Sequence, residues 1–227
     1  MATQLSFDLP VRTAHGRDDF FISPANAMAV AMIDVWQNWA GRKLVLIGPA
    51  GAGKTHLAHV WAEMAKARIV KAADLAALDE AGILALAQSN LAIEDIPDIK
   101  GNPAAQRALF HLHNLALAEG RTLLFTARNA PQHWGVELPD LTSRMMGTQA
   151  AILEAPDDTL LAALLAKLFH DRQLTPPPDT IPYLTLRMDR SFAAAHLVVA
   201  AMDKAALEQS RPLGRKLAGE VLDKLLP

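Results

Sequence analysis

The chain has 227 residues, about half of them hydrophobic, enough for one medium domain or a larger domain with a small one around a real core. Its 22 basic and 24 acidic side chains leave a formal charge of -2, which argues against a dominant electrostatic grip on nucleic acid and leaves DNA contact indirect or weak. Cysteine is absent, excluding disulfides and thiol chemistry and fitting a reducing cytoplasm; no apolar run approaches membrane-spanning length, so no membrane partner is expected, and the start lacks the order of a signal peptide.

Residues 1–18 form a polar leader containing Gln4-Leu5-Ser6-Phe7-Asp8-Leu9. Spaced apolar residues after a Gln can act as a short linear motif, the apolar side chains entering a groove while Gln fixes the register. Read alone, that signal is weak, and a frayed terminus whose Phe7 and Leu9 rest on the domain is the default reading. Phe20-Phe21-Ile22-Ser23-Pro24-Ala25-Asn26 is an extended piece running into a helix, with Ser23 as cap and Pro24 at the first helical position. Met28, Met32, Val35, Trp36 and Trp39 continue at helical spacing until Gly41, a stripe that belongs to a core.

Leu44-Val45-Leu46-Ile47 is an apolar run of the kind that forms a buried parallel strand. Directly after it, Gly48-Pro49-Ala50-Gly51-Ala52-Gly53-Lys54-Thr55 matches the phosphate-loop pattern G-x-x-x-x-G-K-[ST] at every fixed position, and a helix follows. Gly48, Gly51 and Gly53, with Pro49 and Ala52 between them, allow backbone N–H groups to turn toward phosphate oxygens. The helix N-terminus adds positive potential, Lys54 a point charge for the outer phosphates, and Thr55 a hydroxyl for Mg²⁺. A bare glycine turn does not need Lys-Thr after its last glycine, so a nucleotide, ADP or ATP, is the expected cofactor.

Arg68 to Ala72 reads as a second strand, and residues 73–89 as one or two alanine-rich helices. Asn90-Leu91-Ala92-Ile93-Glu94-Asp95-Ile96 is an apolar strand ending in two carboxylates. In a phosphate-loop fold, Glu94 takes the place of the metal-side acid and Asp95 that of the water-activating acid. Asn102 caps a helix that starts at Pro103 and runs to Gly120. Residues 122–127 form another buried strand with Thr126 at its C-terminal end, where polar groups of an open α/β sheet face the ligand crevice. From spacing, that role and simple β-propensity explain Thr126 equally well.

Residues 138–147 read as a short helix stopped by Gly147, and residues 149–154 as a further strand. From Pro156 onward the pattern is helical: residues 157 onward, 179–188, 191–209 and 213–226. The expected organisation is a leader at 1–18, an α/β parallel-sheet nucleotide-binding domain at 19–155 and a small helical lid at 156–227. His56 and His59 share one helix and His111 and His113 another, with no third ligand at zinc spacing.

A phosphate-loop α/β domain followed by a helical lid resembles the AAA+ nucleotide switches. The segment at 20–26, Ile93-Glu94-Asp95-Ile96, Thr126-Ala127-Arg128-Asn129-Ala130-Pro131 and Leu138-Pro139-Asp140-Leu141-Thr142-Ser143-Arg144 are similar to the AAA+ core of the replication initiator DnaA. They are closer still to the shorter Hda-type regulatory inactivators of DnaA. The chain ends after the lid, where the initiator carries a helix-turn-helix DNA-binding domain. The resemblance implies that Gln4, Leu5, Phe7 and Leu9 bind the DNA polymerase sliding clamp. It implies a nucleotide site of Phe21, Ile22, Asn26, the loop from Gly48 to Thr55, His56, Glu94 and Thr126, with Mg²⁺ on Thr55 and Glu94. It implies that Arg144 is an arginine finger supplied in trans to ATP-bound DnaA. Self-association as a homodimer or association with DnaA would complete such a site.

Two positions depart from that pattern. Ala193 stands where the family carries a nucleotide-sensing Arg in the lid, and nearby Arg190 lies on a different face of a continuous helix. Glu94 replaces an Asp and adds a methylene at the metal side. Both favour binding over turnover, with weak or no intrinsic ATPase. Two other readings stand beside this one: a self-contained AAA+ ATPase of loader type, dependent on Asp95, and a DnaA-like adaptor acting without the clamp.

Overall fold

A computed structural model of the chain describes residues 22–209 and 211–225. Five strands form one parallel sheet in the order β2-β3-β4-β1-β5: β1 (Lys43–Ile47), β2 (Arg68–Lys71), β3 (Leu91–Glu94), β4 (Leu123–Ala127) and β5 (Gln149–Ile152). The interior strands β3 and β4 are buried at every residue, so they read in sequence as apolar runs broken only by Glu94 and Thr126 near their C-terminal ends. Edge strands β2 and β5 carry exposed Arg68, Lys71 and Gln149.

Parallel strands need crossovers, and helices supply them on both faces. One face packs Val45, Leu91, Ile93, Leu123 and Phe125 against α3 (Glu80–Ala87), α4 (Pro103–Ala118) and the buried Trp134. The other packs Leu44, Leu46, Ala92, Leu124 and Ala151 against α1 (Ala27–Asp34) and α2 (Lys54–Ala65), whose Trp61 stacks on Trp39 at 5.4 Å between centroids. The odd–even alternation along each strand is the pleat itself. α5 (Pro139–Met146) joins β4 to β5.

The remaining helices are α6 (Asp158–Asp171), α7 (Thr180–Thr185), α8 (Phe192–Gln209) and α9 (Arg215–Leu225). They share a third apolar cluster that includes Leu161, Leu165, Phe169, Leu184, Val199 and Leu222. Asp157 caps α6 by accepting from the Leu160 N–H at 2.7 Å.

The first helix is shorter than its apolar spacing predicts. α1 is capped at Asn26, and Ser23 instead accepts in the preceding turn, from the N–H groups of Ala25, Asn26 and Ala27. Beyond Asp34 the chain tightens into two 3-10 turns, and the Trp39 indole donates to the Met32 carbonyl at 2.7 Å. Met28 and Val35, counted on the apolar stripe, are largely exposed.

Candidate nucleotide site

The strand order reverses at β1, which leads across to β2 at the far edge while β4 returns beside it and hands on to β5. Ligand crevices of open α/β sheets form at such points, outside the C-terminal strand ends. Here the ends of β1, β3 and β4 converge. Ile47 is in register with Ala127, and the Gly48 N–H donates to the Ala127 carbonyl at 3.2 Å. The Asp95 N–H donates to Thr126 Oγ1 at 3.0 Å. The glycine loop, the acid pair and Thr126 are thereby brought to one rim.

The loop tolerates no side chains where it turns. A Cβ at Gly48 would collide with the Leu153 carbonyl, and Gly53 has φ +90°, which L side chains rarely adopt. Lys54 is only 8% exposed, and its ammonium donates to the carbonyls of Gly48 and Pro49, both at 2.8 Å. Burial lowers its pKa, Asp95 opposes that shift, Arg128 adds to it, and Glu94 opposes it more weakly. Thr55 is exposed at the first turn of α2, and His56 is half-buried beside it.

Glu94 is buried, and its Oε1 has no hydrogen-bond partner. A buried orphan carboxylate oxygen beside the phosphate loop suits a cation shell. Among the described residues no group of three or more His, Asp or Glu could cage a metal. A Mg²⁺ here would therefore rest on Thr55, Glu94, water and phosphate oxygens, its usual habit. Asp95 leaves the strand in the left-handed region at φ +54°, a conformation Asp tolerates better than most residues.

Asn26 is buried, with Oδ1 accepting from the Ser23 N–H at 2.9 Å, so that oxygen shapes the turn. That turn flanks the loop, because the Glu154 N–H donates to the Ala25 carbonyl next to Leu153. Ile22 is 63% exposed. Phe21 and the leader residues Gln4, Leu5, Phe7 and Leu9 lie outside the described residues.

Arg144 is far from this rim. It sits in the last turn of α5, its guanidinium over the Phe110 ring at 5.2 Å from the centroid. Its carbonyl accepts from Lys43 Nζ and Thr148 Oγ1, both at 2.9 Å, which pins it to the start of β1. The loop follows the opposite end of that strand, on the order of 13 Å away at about 3.3 Å per residue.

Sequence reasoning missed two sets of neighbours. The Phe192 N–H donates to the Gly51 carbonyl at 2.8 Å, with Ser191 against Gly51 and the Phe192 ring against Gly53, so the start of α8 sits on the loop. Ala193 follows in that first turn, and Arg190 is held by Asp158 at 2.8 Å. Arg128 follows β4 directly and was passed over as part of a motif. The signal for it was positional: it is the first charged residue after a buried strand ending beside the loop.

Domain III of the Thermotoga maritima replication initiation protein DnaA superposes with a TM-score of 0.84 at 18% identity, covering 96% of this chain and 100% of that one. The AMPPCP-bound DnaA of Aquifex aeolicus matches with a TM-score of 0.71 at 18% identity, over 84% of this chain and 65% of that one. The fold is the AAA+ α/β fold. In sequence, an uncharacterised protein of Haemophilus influenzae is 25% identical over 190 residues, 78% of this chain and 79% of that protein. No protein-family model matches the chain. Among the described residues no helix is long and apolar enough to cross a membrane.

Proposed function

We propose that the chain is a nucleotide-binding regulator of replication initiation, of the Hda-type inactivator kind. Its leader, residues 1–18, docks on the DNA-loaded sliding clamp through Gln4, Leu5, Phe7 and Leu9. The AAA+ part at 19–155 holds ADP or ATP, and the lid at 156–227 covers it. The body faces ATP-bound DnaA and presents Arg144, which stabilises charge on the phosphoryl group transferred in DnaA's own site and so limits re-initiation. An arginine finger in trans is worth about 10³–10⁵ in rate in well-studied switches.

The observation that carries this reading is the separation of Arg144 from the loop of its own chain, at the opposite end of β1 and braced through its carbonyl. A residue so placed serves a neighbour's nucleotide or none. In this chain Lys54 and the loop amides bind phosphates, Thr55 and Glu94 carry the Mg²⁺ shell, and Asp95 and Thr126 line the rim. The AMPPCP in the Aquifex neighbour supports a nucleotide at the equivalent loop.

The test is hydrolysis of ATP bound to DnaA, with clamp loaded on DNA, upon addition of the chain or its Arg144→Ala variant. The expected result is acceleration by wild type only when clamp is present, and none by the variant. Acceleration without clamp favours the adaptor reading. No effect on DnaA, together with robust turnover by the chain itself that is lost in Asp95→Asn, favours the loader-type ATPase.

A further inference from the structure

Within the proposed nucleotide site, we infer that Arg128 is a phosphate-binding residue, supplied from the end of β4 to the polyphosphate of the chain's own nucleoside di- or triphosphate. Three placements carry this. Ile47 and Ala127 are register partners on adjacent parallel strands, so the next residue of each strand, Gly48 and Arg128, leave the sheet side by side. The turn that bears Arg128 is anchored: the Asn129 carbonyl accepts from the indole of Trp134, itself 1% exposed, at 2.7 Å. Arg128 is exposed and makes no ion pair or side-chain hydrogen bond among the described residues, so its five donors are uncommitted.

The lid leaves this role open. Ala193 offers no cation, and Arg190 is committed to Asp158. Gly48, which leaves the sheet beside Arg128, accepts from the Lys54 ammonium through its carbonyl at 2.8 Å, so the two cationic residues stand at one rim. Two like charges facing one rim are unfavourable until an anion sits between them. A polyphosphate turns that repulsion into attraction, and the planar guanidinium can grip two phosphate oxygens at once.

The experiment is equilibrium titration of the full chain with ATP and ADP, comparing wild type with Arg128→Ala, Arg128→Lys and Arg128→Glu, alongside melting curves of each without nucleotide. Arg128→Ala should weaken ATP by about tenfold or more, Arg128→Glu further, and Arg128→Lys less. The loss should be larger for ATP than for ADP, and the ligand-free melting temperatures should coincide. The inference is overturned if Arg128→Glu binds ATP as wild type does. It is overturned equally if the affinity loss is matched by a fall in ligand-free stability. If wild type binds neither nucleotide, the nucleotide-site reading itself fails and this inference with it; a normal wild-type affinity with an indifferent Arg128 sinks this inference alone.

Discussion

His113 lies under the sheet, 1% exposed, its ring stacked on Phe125 at 6.4 Å and its Nε2 without a partner. Burial pushes its pKa down to about 4; a hydrogen bond with Asn114 works against that shift, and Lys43 and Arg144 add to it. The unfolded chain takes up this proton near the ordinary value of 6.5, the folded chain only near 4. Between those values the unfolded state binds more protons, so stability is full above 6.5 and is lost as pH falls through the interval. The loss attributable to this residue is no more than about 3 kcal/mol. Urea unfolding of wild type and His113→Leu at several pH values should show a smaller acid loss in the variant. Parallel curves would mean that His113 is not the group responsible.

At the scale of elements, the helix bearing Arg144 is set by one buried side chain. Gln106, 2% exposed on α4, accepts from the N–H groups of Glu137 and Leu138 at 3.0 and 3.1 Å and donates to the Ile99 carbonyl at 3.2 Å. It thereby fixes the chain just before α5 begins. Gln106→Ala would strand two backbone donors and cost about 2 kcal/mol, the low end of about 1–3 kcal/mol for each buried group left unmade, because Glu137 is exposed and Leu138 half-buried. The expected outcome is a lower urea midpoint and weaker stimulation of DnaA-bound ATP hydrolysis, with the chain's own nucleotide affinity retained. Sequence could not single out Gln106, because the two N–H groups it accepts from lie 31 and 32 residues away. Local signals fared better. Asn102 before Pro103, Asp157 before α6 and Gly147 after α5 all sit where cap chemistry puts them. The α1 region misled because Val35, Trp36 and Trp39 keep helical spacing, whereas the Trp39 indole bond and Gly41 at φ +61° draw the backbone into tighter turns.

Across the whole molecule, the loop and the C-terminal helices are joined by a backbone bond, Phe192 N–H to the Gly51 carbonyl. Phe192 is the first residue of α8, a position where proline is tolerated because the helix does not use that N–H. Phe192→Pro should keep α8 formed while deleting the bond; Phe192→Ala keeps the bond while deleting the ring. Amide exchange across α8 should slow on adding nucleotide in wild type and Phe192→Ala, and respond less in Phe192→Pro. Equal responses in all three would show that the bond does not couple the loop to α8. The parallel sheet and the phosphate loop were legible because both are written in consecutive residues. The contact with α8 was not, because Gly51 and Phe192 meet only in the folded chain, and neither residue type announces the other.

The placement of the tryptophans has a practical consequence. Trp61 rides on the helix that begins at Lys54, stacked on Trp39 and edge-on to Trp36, inside one core. Trp134 is tied by its indole to Asn129, in the other core. With four tryptophans and one tyrosine in all, intrinsic emission is almost wholly theirs. Substituting Trp134 by Phe leaves the emission to the cluster around the phosphate-loop helix, while the converse substitutions leave a single emitter beside the turn that carries Arg128. The chain therefore holds two built-in optical reporters, one for each side of the rim, and ligand arrival can be timed at both without attaching a dye.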